Sequence, residues 1–207
     1  MAIAPSPLAQ LGTLGFDEFI TQSGGDNRYE LIDGEVFDLE PTGLHEQVAG
    51  LINTKACVRI DATGLPWIVL QRPLIRPVNM DMTAFRPDVA IIDETALADE
   101  PLWLEQSILT NGHSIKFVAE VVSRNWQNDY ARKFEDYATL GIPKYWIADY
   151  AALGGIHYIG QPKQPTLSIC SLEDNVYRVQ RLQGDEPIVS LTFPNLNFTA
   201  AQVLRLK

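Results

Sequence analysis

Two charged side chains occupy positions that the surrounding sequence marks as buried. Glu120 stands in the middle of the apolar, largely β-branched run Phe117–Val122, which predicts a buried strand. Lys133 belongs to a stretch without Gly or Pro, and it lies within the arc on which the apolar residues fall at helical spacing. That arc contains Trp126, Tyr130, Tyr137 and Leu140. A buried charge without a partner is costly, so each of the two needs a partner or a function.

Asp88 is the third residue that breaks a local rule, because it follows Pro87 at the start of the apolar strand predicted over Asp88–Ile92. Carboxylates on neighbouring strands provide the oxygen ligands that Mg²⁺, or Mn²⁺ in its place, prefers. A lysine beside them orients or deprotonates a water and stabilises charge that grows on a phosphate. Asp88, Glu120 and Lys133 therefore predict metal-assisted phosphodiester hydrolysis, with the two acids as metal ligands.

A structural interpretation of the same residues stays open. In it Glu120 caps a neighbouring backbone, Lys133 extends along the surface or pairs with Asp129 one helical turn earlier, and Asp88 is an ordinary acid at a strand start. This interpretation requires no meeting of the three side chains, whereas the catalytic one requires that they converge.

Two further residues are secondary candidates for the site. Glu30 shares a strand face with Ile32 in the hairpin predicted over Arg28–Leu39, so it points either toward the sheet or across the strand to solvent. His45 opens a predicted helix, where it either donates to a phosphate or a metal-bound water, or serves as a capping or packing residue. Other residues that a pocket would include are Gln71, Ser123 and Tyr137.

The elements that position these residues form a strand–helix–strand unit over 117–149. Its helix runs from about Trp126 to Leu140 and stops at Gly141 and Pro143, which are helix-ending signals. Lys144–Asp149 then returns as a second strand, and the connecting helix predicts that the two strands are parallel.

The rest of the chain supplies further elements to the same predicted single domain, with a core over about 14–150 and a β-rich extension over 151–207. The pattern predicts helices over Leu14–Ser23 and His45 to about Ala62, and a hairpin turning at Asp33-Gly34. It also predicts a long strand over Trp67–Val78 and an acidic insertion with a short helix over 93–114. The pattern predicts a C-terminal β-meander with strands over Gly155–Ile159, Thr166–Leu172 and Val176–Leu182, followed by a capped helix at Thr199–Leu206. This meander would cover a sheet edge or build a dimer surface.

Composition limits the classes of function. The chain has 207 residues, of which 46% are hydrophobic, so a full core is expected. Its 26 acids against 16 bases give a net charge of −10, which excludes a general nucleic-acid coat protein but not an enzyme with a local basic path. Cys57 and Cys170 sit in apolar contexts without motif spacing and are expected to be reduced core residues. No apolar run reaches membrane length and the start lacks a signal-peptide pattern, so we expect a cytoplasmic protein without a membrane partner.

Several separate blocks appear in order along the chain from about residue 14. They are Tyr29–Glu35 (YELIDGE), His45 at a helix start, Arg86–Ile92 (RPDVAII), Ala119–Ser123 (AEVVS), Asp129–Tyr150 and Phe193–Leu204. Together these blocks resemble the Uma-type branch of the PD-(D/E)XK restriction-endonuclease-like superfamily, and Pro87-Asp88 followed by Glu120 resembles the superfamily signature. The resemblance implies an α/β core, with a mixed central β-sheet flanked by helices.

The resemblance also implies roles for individual residues. The acids that match Asp88 and Glu120 hold a metal ion, and Glu30 is an extra acid near the site. The superfamily lysine normally lies two residues after the glutamate, where this chain has Val122. The Uma-type branch likewise lacks it, and Lys133 is the lysine that matches its motif.

The leading hypothesis is a Mg²⁺-dependent endonuclease that acts on DNA, as a monomer or a homodimer. One alternative is a binding or assembly module with this fold and little or no turnover, motivated by the acidic charge and the absent strand lysine. Another is a hydrolase of RNA or of a smaller phosphoester. A DNA enzyme needs a basic path to its site. The candidates for that path are Arg72, Arg76, Arg86, Arg124, Arg132 and Lys144.

Overall fold

The computed structural model describes residues 12–23, 25–189 and 198–205. The helices in these ranges are α1 (Phe16–Ser23), α2 (Gly43–Thr63), α3 (Trp103–Gln106), α4 (Lys133–Thr139), α5 (Ile156–Ile159) and α6 (Ala200–Val203). The strands are β1 (Tyr29–Ile32), β2 (Glu35–Asp38), β3 (Trp67–Leu70), β4 (Leu74–Ile75), β5 (Val89–Asp93), β6 (Ile108–Leu109), β7 (Ile115–Val121), β8 (Lys144–Asp149), β9 (Thr166–Glu173) and β10 (Val176–Leu182).

A six-stranded mixed sheet organises the described part of the chain, in the order β10-β9-β8-β7-β5-β3. Only the β7–β8 pair within it is parallel, with Ala119 opposite Trp146, and this confirms the predicted strand–helix–strand unit. One face packs against α2 and α6, and the other packs against α4. The predicted α/β class, a mixed central sheet flanked by helices, is confirmed.

The helix predicted over Trp126–Leu140 contains a π-helical turn that the apolar pattern does not indicate. The turn covers Asn128–Arg132, and the backbone N–H of Lys133 donates to the carbonyl oxygen of Asn128, five residues earlier. Asp129 and Tyr130 in this turn and Lys133 directly after it are all buried. Asp129 therefore faces the interior beside the lysine that follows it by one turn.

Two other expected elements near the site are confirmed. Strands β1 and β2 form a hairpin in which Asp33 and Gly34 have φ of 51° and 83°, the left-handed conformation that this tight turn requires. Helix α2 ends where the left-handed Gly64 donates its N–H to the carbonyl oxygens of Ile60 and Asp61.

Three expectations were wrong. Cys57 is exposed, because it lies outside the face of α2 that Val48, Ile52 and Ala56 bury, whereas Cys170 is buried as expected. The single strand predicted over Trp67–Val78 is two strands in different sheets, because Arg72 adopts φ of 52° and Pro73 follows it. The strand predicted over Gly155–Ile159 is helix α5, whose Ile159 is buried. Its neighbour Tyr158 packs on Trp126 and Tyr130, and these aromatic contacts override the short β-like pattern.

The C-terminal part extends the central sheet. Strands β9 and β10, both predicted, form an antiparallel hairpin that turns at Asp174-Asn175, and β9 pairs with β8. Thr199 caps α6 through its side chain, which accepts from the backbone N–H of Gln202. Leu206 and residues 193–197 of the matching block lie outside the described residues. No helix in the described ranges has both the length and the apolar character that crossing a membrane demands.

Candidate active site

All five residues selected from the sequence line one cavity of about 270 Å³. Glu30 comes from β1, His45 from the first turn of α2, Asp88 from the residue before β5, Glu120 from β7 and Lys133 from the start of α4. The structure thus brings together side chains from five elements, and the catalytic roles assigned to them stay predictions.

The Lys133 ammonium is the centre of this cluster. Its Nζ lies 3.1 Å from Oε1 of Glu120, 3.1 Å from Oε2 of Glu30 and 3.4 Å from Oδ1 of Asp129. Its side chain is only 3% exposed, so the alternative in which it extends along the surface is wrong. The Asp129 pair of the structural interpretation does form, but as one of three contacts.

Burial and charge act in opposite directions on this lysine. Burial alone would lower the pKa of the Lys133 amine, because it penalises the charged form. The neighbouring carboxylates, led by Glu120 and Glu30, outweigh that effect and raise the pKa well above its usual value. The neighbouring carboxylates therefore favour the charged form of the amine.

Glu120 is buried at the inner end of the cavity. Burial raises the pKa of its carboxyl well above the usual value, and the charge of Lys133 opposes the shift only in part. The hydroxyl of Tyr137 donates to Oε1 at 2.9 Å, which is the same oxygen that contacts the lysine. Neither Tyr137 nor Lys133 makes its contact with Oε2, the second carboxylate oxygen of Glu120.

Asp88 is held by two donors on a single oxygen. The backbone N–H of Val121 donates to Oδ2 at 2.8 Å, and Nε2 of His45 lies 3.3 Å from the same atom. Burial lowers the pKa of His45, but the hydrogen bond and charge of Asp88 outweigh it, so the pKa is raised overall. Thr42 fixes the histidine in the first helical turn by accepting its backbone N–H at 3.3 Å.

Glu30 joins the lysine to the segment that carries Asp88. Its Oε2 contacts Lys133 and also accepts the backbone N–H of Arg86 at 3.2 Å. The side chain is 3% exposed, which excludes the solvent-directed orientation considered from the sequence. Its position suits the role of holding the ammonium beside Glu120.

The donor set fits a hydrated magnesium ion. Asp88 and Glu120 present carboxylates to the same cavity. Among the described residues, the polar contacts of these carboxylates involve Oδ2 of Asp88 and Oε1 of Glu120, and not the second oxygen of either group. Within the described ranges, no group of three or more His, Cys, Asp or Glu side chains is arranged to hold a metal. Two carboxylates with water and phosphate oxygens are the ligands that Mg²⁺ commonly takes in nucleotide-processing sites.

Asp129, considered from the sequence as a partner of Lys133 one helical turn earlier, is the third carboxylate of this cluster, a place that the sequence did not assign to it. Burial raises the pKa of its carboxyl to about 7, against the opposing charge of Lys133. Ser123 lines the cavity, as considered, and Tyr137 contacts Glu120 from behind it. Gln71 lies in a different groove.

Of the six bases considered for a basic path, only Arg86 and Arg124 line the cavity. The other four bases have partners elsewhere. Arg72 pairs with Glu46, Arg76 pairs with Asp81, and Arg132 pairs with both Asp33 and Asp136. Lys144 donates to Ser171. Arg124 is exposed, and among the described residues it forms no ion pair. Of the six, Arg124 is therefore the base that both lines the cavity and is exposed to solvent.

The comparison with protein families and the comparison with solved structures both give matches. The model of the Uma2 family, described as "Putative restriction endonuclease", matches residues 16–201. A solved structure from Anabaena variabilis ATCC 29413, described as a putative nuclease belonging to DUF820, is similar with a TM-score of 0.69 and 12% identity. The similarity covers 93% of this chain and 98% of that one, and at this identity it shows the fold. No curated protein matches the chain.

Proposed function

The chain belongs to the Uma2 family of restriction-endonuclease-like proteins, as its sequence blocks predicted, and we propose that it is a metal-dependent endonuclease that hydrolyses DNA phosphodiester bonds. The observation that carries the proposal is the convergence of Asp88, Glu120 and the Lys133 ammonium in one cavity. Each residue arises from a different element, and each breaks the local rule for its position.

Asp88 and Glu120 would hold the ion. When bound there, Mg²⁺ polarises a phosphoryl oxygen and makes a bound water more acidic. Val121 and His45 fix the orientation of Asp88, while Tyr137 and Lys133 fix that of Glu120. Such second contacts keep carboxylates directed at a metal rather than at other donors.

Lys133 stabilises negative charge on the phosphate that undergoes cleavage. Of the two roles considered for this lysine, the raised pKa of its amine favours charge stabilisation over removal of a proton from water. Glu30 and Asp129 hold the ammonium in place, so the charge is positioned before substrate binds. A preorganised charge in a buried site is worth more than the same charge in water.

Arg124 provides the first contact with the DNA backbone. The protein carries a net charge of −10, so attraction to DNA must come from a local positive group. Arg124 lies at the mouth of the cavity beside Ser123 and Asn125. Its exposed guanidinium suits a phosphate next to the one that is cleaved.

Cleavage of supercoiled plasmid in Mg²⁺ or Mn²⁺ tests the proposal. Asp88→Asn and Glu120→Gln should each reduce nicking by about 100-fold or more, because each removes a charged metal ligand. Asp93→Asn, at the opposite end of β5 from Asp88, is the matched control and should cut like the wild type. Nicking that survives both site substitutions would remove these residues from the mechanism.

A second candidate function is a nuclease-fold module that binds a partner without turnover. Two observations favour it: three carboxylates already surround the Lys133 ammonium, and the described residues contain no three-ligand metal cluster. It predicts no heat of Mg²⁺ binding in low-millimolar calorimetry and uncut plasmid. Adding RNA and small phosphodiesters to the substrate panel separates the remaining hydrolase alternative from both.

A further inference from the structure

A second and larger groove lies beside the candidate active site. Its volume is about 610 Å³, within the range of small-molecule sites. Arg86 lines both this groove and the cavity that contains Asp88 and Glu120. The two spaces therefore share one lining residue, and the proposed activity uses only one of them.

Arg86 is a buried cation without a counter-ion. The residue is 7% exposed, and its guanidinium donates to the backbone carbonyl oxygens of Tyr29 at 2.8 Å and Arg72 at 3.0 Å. Burial lowers the pKa of the guanidinium, and the charges of Asp26 and Glu30 oppose the shift. Neither acid forms an ion pair with it in the described part of the chain.

A buried charge that only neutral oxygens satisfy retains much of its desolvation cost. An anion that enters either cavity would offset that cost. Of the five N–H donors of the Arg86 guanidinium, the two bonds to carbonyl oxygens use one on Nε and one on Nη1, so donors remain on Nη1 and Nη2 for a phosphate, the anionic group of nucleic acids. Arg86 also belongs to the hydrogen-bond network of the site, since its backbone N–H donates to the carboxylate that holds Lys133.

The groove wall has the chemistry of a nucleobase site. Trp103 is half-buried and provides an aromatic surface, on which bases stack regardless of sequence. Gln71 and Gln106 are exposed amides that pair with base edges, and Glu105 offers an acceptor for an amino group. A polar groove with one aromatic side chain and several amides suits a base better than an apolar ligand.

Two left-handed residues shape the wall of the same groove. Arg72, with φ of 52°, separates β3 from β4, and Ser107, with φ of 51°, ends α3 by donating its backbone N–H to the carbonyl oxygen of Trp103. They lie just before strands β4 and β6, which pair in parallel with Leu74 opposite Ile108. These two turns hold Gln71 and Gln106 at the groove.

We propose that this groove binds an unstacked nucleotide of the substrate strand, next to the phosphodiester bond held in the candidate active site. Arg86 contacts the phosphate that joins the two positions, and Trp103 stacks on the base. This inference rests on the proposed nuclease function and makes it more specific. The preferred substrate is a strand with an unpaired or displaced nucleotide beside the cleaved bond.

Binding of a fluorescently labelled short single-stranded oligonucleotide, followed by anisotropy in metal-free buffer, tests the groove without requiring cleavage. Trp103→Ala should weaken binding about 5- to 100-fold, the range for loss of one base–aromatic stack. Leu104→Ala is the matched control, because Leu104 is the next residue of α3, is 96% exposed and does not line the groove. Thermal unfolding of both variants verifies that they are folded.

Arg86→Gln should lower the slope of log affinity against log salt by about 0.7, as expected when one phosphate contact to a single strand is lost. Because Arg86 is buried and its variant is at risk of misfolding, Gln106→Ala at an exposed position gives an independent reading. It should weaken binding several-fold. The inference would be overturned if Trp103→Ala and Gln106→Ala both bound the oligonucleotide with wild-type affinity. It would also be overturned if the wild type did not bind the oligonucleotide at all.

The two proposals fail in different ways. If plasmid stays uncut while Trp103→Ala weakens oligonucleotide binding, the nuclease proposal fails and the groove stands. If Asp88→Asn abolishes cleavage while Trp103→Ala changes neither binding nor cleavage, the groove proposal fails alone.

Discussion

The Lys133 ammonium lies 3.1 Å from the Glu120 carboxylate, although the lysine begins helix α4 and the glutamate lies in strand β7. The strand position two residues after the glutamate is Val122, which is fully buried. Lys133, which reaches Glu120 from the helix that follows the strand, therefore supplies the positive charge that strand β7 does not supply. Sequence distance from the acid does not decide which lysine serves the site.

Lys133→Met should destabilise the protein, because it leaves the carboxylates of Glu30, Glu120 and Asp129 buried without their cation. Removing one partner of a buried ion pair costs about 3–5 kcal/mol, and denaturant unfolding at mildly alkaline pH measures the loss. Plasmid nicking should fall by about 100-fold. Lys163→Met, at an exposed position, is the control. Equal unfolding midpoints for the two variants would contradict the central role of this ammonium.

Tyr137→Phe should weaken the hold on Glu120 without opening a cavity, because it removes only the hydroxyl that donates to Oε1. We expect a loss of about 1 to 3 kcal/mol in stability, as for a buried hydrogen bond to a carboxylate. Mg²⁺ affinity by calorimetry should fall about 10- to 100-fold. Tyr145→Phe removes a comparable buried hydroxyl that donates to the backbone of Asp129, and its Mg²⁺ affinity should stay at the wild-type value.

Much of this arrangement is accessible from the sequence. The apolar strand around Glu120, the helix stop at Gly141 and the return strand fix a parallel β7–β8 pair, and the buried arc identifies Lys133 as anomalous. Such features depend on local pattern and on the cost of burying charge, which act within a few residues. The pattern therefore identifies which residues are anomalous, whereas the distances between them come from the fold.

The remaining features depend on contacts between distant segments. The π-helical turn at Asn128–Arg132 has no signature in the apolar spacing, and Asp129, Tyr130 and Lys133 are all buried where it meets α4. Helix α5 forms because Tyr158 packs against aromatic residues some 30 positions away in the chain. Arg86 likewise forms no ion pair among the described residues, because its guanidinium donates instead to two backbone carbonyl groups. These belong to Tyr29 in strand β1 and to Arg72 in the loop after β3. No local pattern reports these relationships.

Asp129→Asn should change how stability depends on pH. The pKa of Asp129 rises from its usual value of 3.8 to about 7, so between these values the folded state keeps a proton that the unfolded state has released. The free energy of unfolding of the wild type should therefore fall, relative to the variant, as pH rises from about 4 to about 7. The expected change is about 2 to 4 kcal/mol across that window, measured by denaturant unfolding. A constant difference between the two proteins over this range, like that expected for the exposed Asp185→Asn, would contradict the assignment.

Arg124→Ala should weaken DNA binding without affecting the fold, because the side chain is exposed and forms no ion pair among the described residues. Loss of one phosphate contact on duplex DNA reduces the slope of log affinity against log salt by about 0.9. We expect KM for plasmid to rise several-fold at moderate salt while kcat stays near the wild-type value, since the contact is made equally before and during cleavage. Arg178→Ala, on strand β10 and outside the cavity, should leave both the slope and KM unchanged. If the two variants instead show the same salt slope, the DNA backbone does not approach the site past Arg124, and its path must cross a different part of the cavity mouth.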